Sequence, residues 1–212
     1  MIKLVSDTIN KDDIKRLVAW LSQEDTPILT KNKVTLEFES KWSNKIGVNN
    51  TCYVNSGSSA ILLALAALKE SGRLRNNKVV APALSWATDV SSPMLLGMDV
   101  ELCDCNLHNL SIDLNHFKKI VREQNPSVLI LVSVLGLVPQ MEKIVEICKD
   151  NNIIILEDVC ESMGSKYQDQ YLGTFGDISV FSLFYGHHLS NFPDTIFRVM
   201  SHRLNQPHIY RL

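Results

Sequence analysis

Three things are scarce in this chain of 212 residues: charge of one sign, long apolar runs and paired cysteines. Lys and Arg number 21 against 23 Asp and Glu, a net charge of −2, so no basic field draws the protein toward nucleic acid or an anionic membrane. The longest apolar run, 128–138, is broken by Ser133 and Gly136. It falls far short of the ~20 residues that a spanning helix needs and reads as a buried strand. The first ten residues show no basic stretch followed by an apolar core and a small-residue cleavage site, so the expected compartment is the cytoplasm. Five cysteines (Cys52, Cys103, Cys105, Cys148, Cys160) are an odd number scattered through apolar segments, the usage expected where thiols stay reduced. Cys103-Asp-Cys105 lacks the two-residue gap and the second pair of a zinc site.

What is present is an ordinary folded composition, 45% apolar and 21% charged, which excludes disordered and fibrous classes. Short β-branched runs alternate with longer stretches of helical periodicity, the pattern of an α/β protein with a mostly parallel sheet. Helices are expected from Asn10 or Asp12 through 23, over 34–45 with Val34, Phe38 and Trp42 on one face and Gly47 as its stop, and over 60–70, 86–96, 113–123 and 140–151. Pro139 suits the first turn of the last of these. Strands are expected over 51–54, 78–81, 99–103, 127–133, 153–156 and 178–183, with a small hairpin at 166–172 and a loop from Phe184 onward.

In such a sheet, ligands bind beyond the carboxyl ends of the strands, so the polar groups there come first. Ser56-Gly57-Ser58-Ser59 sets small residues and first-turn amides at a helix start, where the helix dipole favours a phosphate. A plain capped helix would carry the same pattern. Asp158 lies just past an aliphatic run and can pair with a protonated ring nitrogen, and Glu161, three residues on, faces the same pocket or caps the next segment. Trp86, just past a strand and a Pro82 turn, suits stacking on a planar ligand or plain core packing. His187-His188 follows Gly186 where a ring nitrogen can move protons near neutral pH. Adjacent histidines do not share a metal from a helix, so no metal is expected.

Taken in order, the motifs Asn55-Ser-Gly-Ser-Ser-Ala60, Pro82-Ala-Leu-Ser-Trp-Ala-Thr88, Glu157-Asp-Val-Cys-Glu161, Gly173-Thr-Phe-Gly-Asp177 and Phe181-Ser-Leu-Phe-Tyr-Gly-His187 resemble the DegT/DnrJ/EryC1/StrS family of sugar aminotransferases and dehydratases, from about residue 4 to 190. The resemblance implies the large three-layer domain of aspartate-aminotransferase-like enzymes and a pyridoxal or pyridoxamine phosphate cofactor. It assigns Gly57, Ser58 and Ser182 to the cofactor phosphate, Trp86 to the ring face and Asp158 to the ring nitrogen. Where aminotransferases of the family carry the Schiff-base lysine, this chain has His187, and it has Glu161 where Gln is usual. Both features resemble the branch of 4-keto-6-deoxy-sugar 3-dehydratases.

In that branch the partners implied are a nucleotide-linked 4-keto-6-deoxy sugar, glutamate as amino donor, and a second copy in a homodimer, with His187 as the proton-moving residue. Nucleic acid and membrane are not expected partners. Residues 1–190 are expected to form the cofactor-binding domain. Residues 191–212 read as a divergent tail without the Glu-Gly-Gly segment and small domain that relatives carry, as a frameshifted or truncated copy would. Two other readings stand beside the dehydratase: a sugar aminotransferase homologue, and a non-catalytic partner of an intact homologue.

Overall fold

A computed structural model describes residues 9–25, 27–183 and, as backbone, 198–202. Near the amino end, α1 (Lys11–Leu21) is capped by Asn10, whose side chain accepts the Asp12 and Asp13 amides while Asp13 answers in a capping box. Helix α2 (Lys33–Ile46) stops at Gly47, which takes the left-handed conformation at φ 80°. The inward face of α2 is shifted from the expected one: Val34 is exposed, whereas Phe38, Trp42 and Ile46 turn inward.

The main sheet follows the expected alternation. Strands β1 (Asn50–Val54), β2 (Lys78–Pro82), β3 (Asp99–Cys103), β4 (Val128–Val132) and β5 (Ile154–Asp158) alternate with α3 (Gly57–Glu70), α4 (Ala87–Leu95), α5 (Leu114–Gln124) and α6 (Met141–Asp150). A hairpin, β6 (Lys166–Tyr167) with β7 (Gln170–Tyr171), stands apart, and β8 (Ile178–Val180) and β9 (Arg198–His202) complete the sheet. Its order is β1-β9-β8-β5-β4-β2-β3, with β9 antiparallel to both neighbours and every other pairing parallel.

Three sequence expectations need correction. The stretch after Phe184 is not all loop: Arg198–His202 forms β9, filling the slot between β1 and β8, whose facing edges would otherwise lack partners. Pro139 lies before the Gln140 cap of α6 and not in its first turn. Asp158 is the last residue of β5 and not beyond its end, because the ladder to β4 runs on to Val132 and Asp158.

Both central strands are buried at every position, Val128–Val132 and Ile154–Asp158, as helices on both faces require. Their side chains alternate between two cores. Leu129, Leu131 and Ile155 pack with Trp42, Phe117, Met141, Ile144 and Phe181 on the face covered by α2, α5 and α6. Val128, Ile130, Ile154 and Leu156 pack with Ala60, Ile61, Ala64 and Leu65 of α3 on the other. The result is the expected three-layer α/β arrangement. Among the described residues no helix is long and apolar enough to cross a membrane.

Candidate active site at the carboxyl edge of the sheet

Because β1, β8, β5, β4 and β2 run parallel, their carboxyl ends share one edge, and the expected site residues follow from those ends. After β1, Ser56 caps α3: its hydroxyl oxygen accepts the Ser59 amide at 3.0 Å and donates to the Ser59 hydroxyl at 2.9 Å. Gly57 is buried and Ser58 exposed in the first helical turn, whose amides point out of the helix end toward any anion there. After β8 comes Ser182, wholly buried.

At the end of β5, Asp158 is 3% exposed, and its Oδ1 accepts the Cys160 amide at 3.0 Å. Strand alternation turns it to the face that carries Leu156 and α3, so Asp158 and the Gly57-Ser58 turn lie on one side of the sheet. Glu161 is half-buried, and its Oε2 accepts the Leu135 amide at 3.0 Å. After β2, Trp86 occupies the cap position of α4 with 70% of its surface exposed, so plain core packing does not explain it. The structure thus gathers Gly57, Ser58, Trp86, Asp158, Glu161 and Ser182 at one edge. His187 and His188 lie outside the described residues.

Glu157 is the part of this site that sequence reasoning missed. It is 1% exposed and turns to the opposite face from Asp158, where Oε2 accepts the Gly173 amide at 2.8 Å and Oε1 those of Phe175 and Gly176 at 2.8 and 2.6 Å. Glycine is required in that turn: a Cβ on Gly176 would meet the Ile155 carbonyl oxygen at 2.7 Å, and one on Gly173, at φ 86°, would strike the Phe181 ring. Asp177 closes the turn, accepting from the Ile155 amide at 3.2 Å and from Arg73 at 2.8 Å. A glutamate inside an aliphatic strand was the available signal, since a buried carboxylate demands several donors.

A groove of about 1030 Å³ lies elsewhere, between α6, the end of α2 and the β6–β7 hairpin. It contains none of the expected site residues.

Other proteins share this fold. The chain superimposes on the E. coli GDP-4-keto-6-deoxy-D-mannose-3-dehydratase with bound hydrated PLP with a TM-score of 0.87 and 29% identity, over 99% of this chain and 53% of that one. The Helicobacter pylori aminotransferase PseC shares the fold at a TM-score of 0.84 and 22% identity, over 98% of this chain and 53% of that one. The fold is that of the pyridoxal phosphate-dependent aminotransferase-like enzymes.

The chain belongs to the DegT/DnrJ/EryC1/StrS aminotransferase family, which matches residues 8–193. Among curated relatives, the GDP-4-keto-6-deoxy-D-mannose 3-dehydratases of E. coli O55:H7 and Yersinia pseudotuberculosis are 32% and 33% identical, covering 78% and 84% of this chain. The GDP-perosamine synthase of E. coli O157:H7 is 30% identical, covering 76% of this chain and 43% of the synthase. The chain spans about half the length of the curated relatives it matches, 43% and 46% for the two dehydratases.

Proposed function

We propose that this chain is the cofactor-binding body of a nucleotide-sugar 3-dehydratase, taking a 4-keto-6-deoxy sugar as substrate, in the cytoplasm and as a homodimer. Residues 1–190 form that body, with β9 added to its sheet. The observation that carries the reading is the shared edge itself: a buried Asp158, the Gly57-Ser58 helix start and the exposed Trp86 ring. The family resemblance adds His187 at the position where aminotransferases carry the Schiff-base lysine.

The residues fit a phosphorylated pyridine. An aromatic ring, an acid at the end of a strand and small residues at a helix start are a donor set for a flat, cationic ring with an anionic tail. When bound, pyridoxamine phosphate supplies an amine for the sugar ketone and an electron-accepting ring. Asp158 would hold the ring nitrogen and favour its protonated form. Gly57 and Ser58 offer amides, and Ser182 a hydroxyl, to the phosphate. Trp86 covers a ring face, and Glu161 borders the same pocket. His187 would accept, on its imidazole nitrogen, the proton lost from the amine-bearing carbon of the bound cofactor and would deliver it to the C3 hydroxyl, which would leave as water as its C–O bond breaks, a task suited to imidazole near neutral pH. Glutamate is the amino donor that recharges the site.

With histidine at the lysine position, cofactor is held without a covalent bond. Treating the purified chain with pyridoxal phosphate and borohydride should leave no pyridoxyl group on any lysine after digestion. A stoichiometric adduct on Lys166, or on another lysine, would overturn this reading.

A further inference from the structure

We propose that Glu39 is a positioning residue for the cofactor phosphate: from α2 it fixes the outer edge of β1 and, through that strand, the Ser56-Gly57-Ser58 turn. The proposal rests on the reading of the site given above, which leaves Glu39 without a task. Its side chain is 8% exposed, on the face of α2 that also buries Trp42, Ser43 and Ile46. A carboxylate so placed persists only where donors offset its lost hydration. Two do so: Oε1 accepts the Tyr53 amide at 2.8 Å and the Lys31 ammonium at 2.8 Å.

The place of Tyr53 gives that bond its consequence. Strand β1 is the outermost of the sheet, with β9 as its neighbour. Alternate amides of an outermost strand point away from that neighbour, where no ladder partner stands. Tyr53 is the last residue but one of β1, and a side chain from α2 takes its amide. Two further contacts run the same way. The Ser43 hydroxyl donates to the Thr51 hydroxyl at 2.7 Å, and the Phe38 ring meets the Tyr53 ring edge-on, centroids 5.3 Å apart. Helix α2 therefore grips β1 at both Thr51 and Tyr53, and Glu39 holds the backbone at the end nearer the site. Between Tyr53 and the first turn of α3 stand only Val54, Asn55 and Ser56. So short a connection passes any shift of the strand end on to the amides of Gly57 and Ser58. Lys31 is 53% exposed, so its ion pair adds little beside the amide bond. Glutamine at position 39 keeps a carbonyl oxygen for the Tyr53 amide, whereas methionine fills the same space without an acceptor.

The test uses the full chain as wild type, Glu39→Met, Glu39→Gln and Lys31→Met, titrated with pyridoxamine phosphate and with pyridoxamine, which lacks the phosphate. Amide exchange is followed without either compound. Glu39→Met should weaken pyridoxamine phosphate about tenfold and pyridoxamine less than about twofold, because only the phosphate meets the displaced turn. Glu39→Gln and Lys31→Met should stay within about threefold of wild type for both compounds. In Glu39→Met the Ser59 amide, held by the Ser56 hydroxyl at 3.0 Å, should exchange about fivefold faster while the amides of α6 keep their rates. An unchanged Ser59 rate overturns the proposal whatever the affinities. So does an equal loss for both compounds, or a glutamine variant as weak as the methionine one. If Glu39→Met does not fold, Glu39→Asp, whose carboxylate is one methylene short of the Tyr53 amide, takes its place with the same expected and overturning results. If wild type binds no pyridoxamine phosphate, the reading of the site fails, and the Ser59 rate alone decides this inference.

Discussion

Two adjacent carboxylates end β5, and the regions they serve on opposite faces of the sheet are built differently. Behind the edge, Glu157 gathers three amides, Gly173 and Gly176 leave no space for a side chain, and Asp177 pairs with Arg73. On the edge itself, Trp86 and Leu135 are bare and Ser58 is exposed. One region spends its polar groups on holding the fold, and the other presents side chains outward. Rigid support next to an open working surface is what a site needs to bind with fixed geometry.

The largest effect that would break this contrast lies at Glu157. Glu157→Ala strands three amides and should cost ~3–5 kcal/mol in urea denaturation, with Glu157→Gln costing less because one acceptor oxygen remains. A loss below ~1 kcal/mol for the alanine variant would show that the 173–177 turn does not depend on it. Arg73→Ala removes a partly exposed ion pair to Asp177, with side chains 27% and 31% exposed, so about 1 kcal/mol is expected from the same measurement after solvent screening.

Two thiols near the end of β3 sharpen the contrast further. Burial pushes the Cys103 thiol from 9.0 up to about 12, aided by nearby Asp113 and Asp104, whereas Cys105 is only half-buried. An alkylating reagent should therefore modify Cys105 well before Cys103 in the folded chain. Since the unfolded thiol gives up its proton from about pH 9 and the folded one only near 12, the unfolded state binds fewer protons in that window. The Cys103 contribution to stability is complete below pH 9 and lost as pH rises toward 12. Denaturation midpoints across pH 8 to 11 check the sign, and a rise in stability would contradict it. The smallest effect belongs to Trp86. With 70% of its surface exposed, Trp86→Ala should change stability by no more than ~0.5 kcal/mol, and on the proposed reading it should weaken cofactor binding.

How much of this was legible in the sequence depends on how local each signal is. Asp158 was readable because a carboxylate just past the buried run Ile153-Ile-Ile-Leu156 is costly unless it has a task. The Ser56 cap and the Gly47 stop were readable because capping chemistry acts within one turn. Glu157 was adjacent to Asp158 and still missed, because its partners at Gly173, Phe175 and Gly176 reach it only once the chain has folded back. Likewise β9 has no local marker: its place is defined by the edges of β1 and β8, which are distant in sequence.

The most direct test of the account is the affinity of the purified chain for pyridoxamine phosphate, wild type against Asp158→Asn, by equilibrium titration. The account predicts saturable one-site binding in the wild type. In the asparagine variant, binding should weaken about 10- to 100-fold with stability nearly unchanged, the worth of one charge-assisted hydrogen bond to the ring nitrogen. Equal affinity in the two proteins, or no saturable binding by the wild type, would contradict the assignment of this edge as a cofactor site.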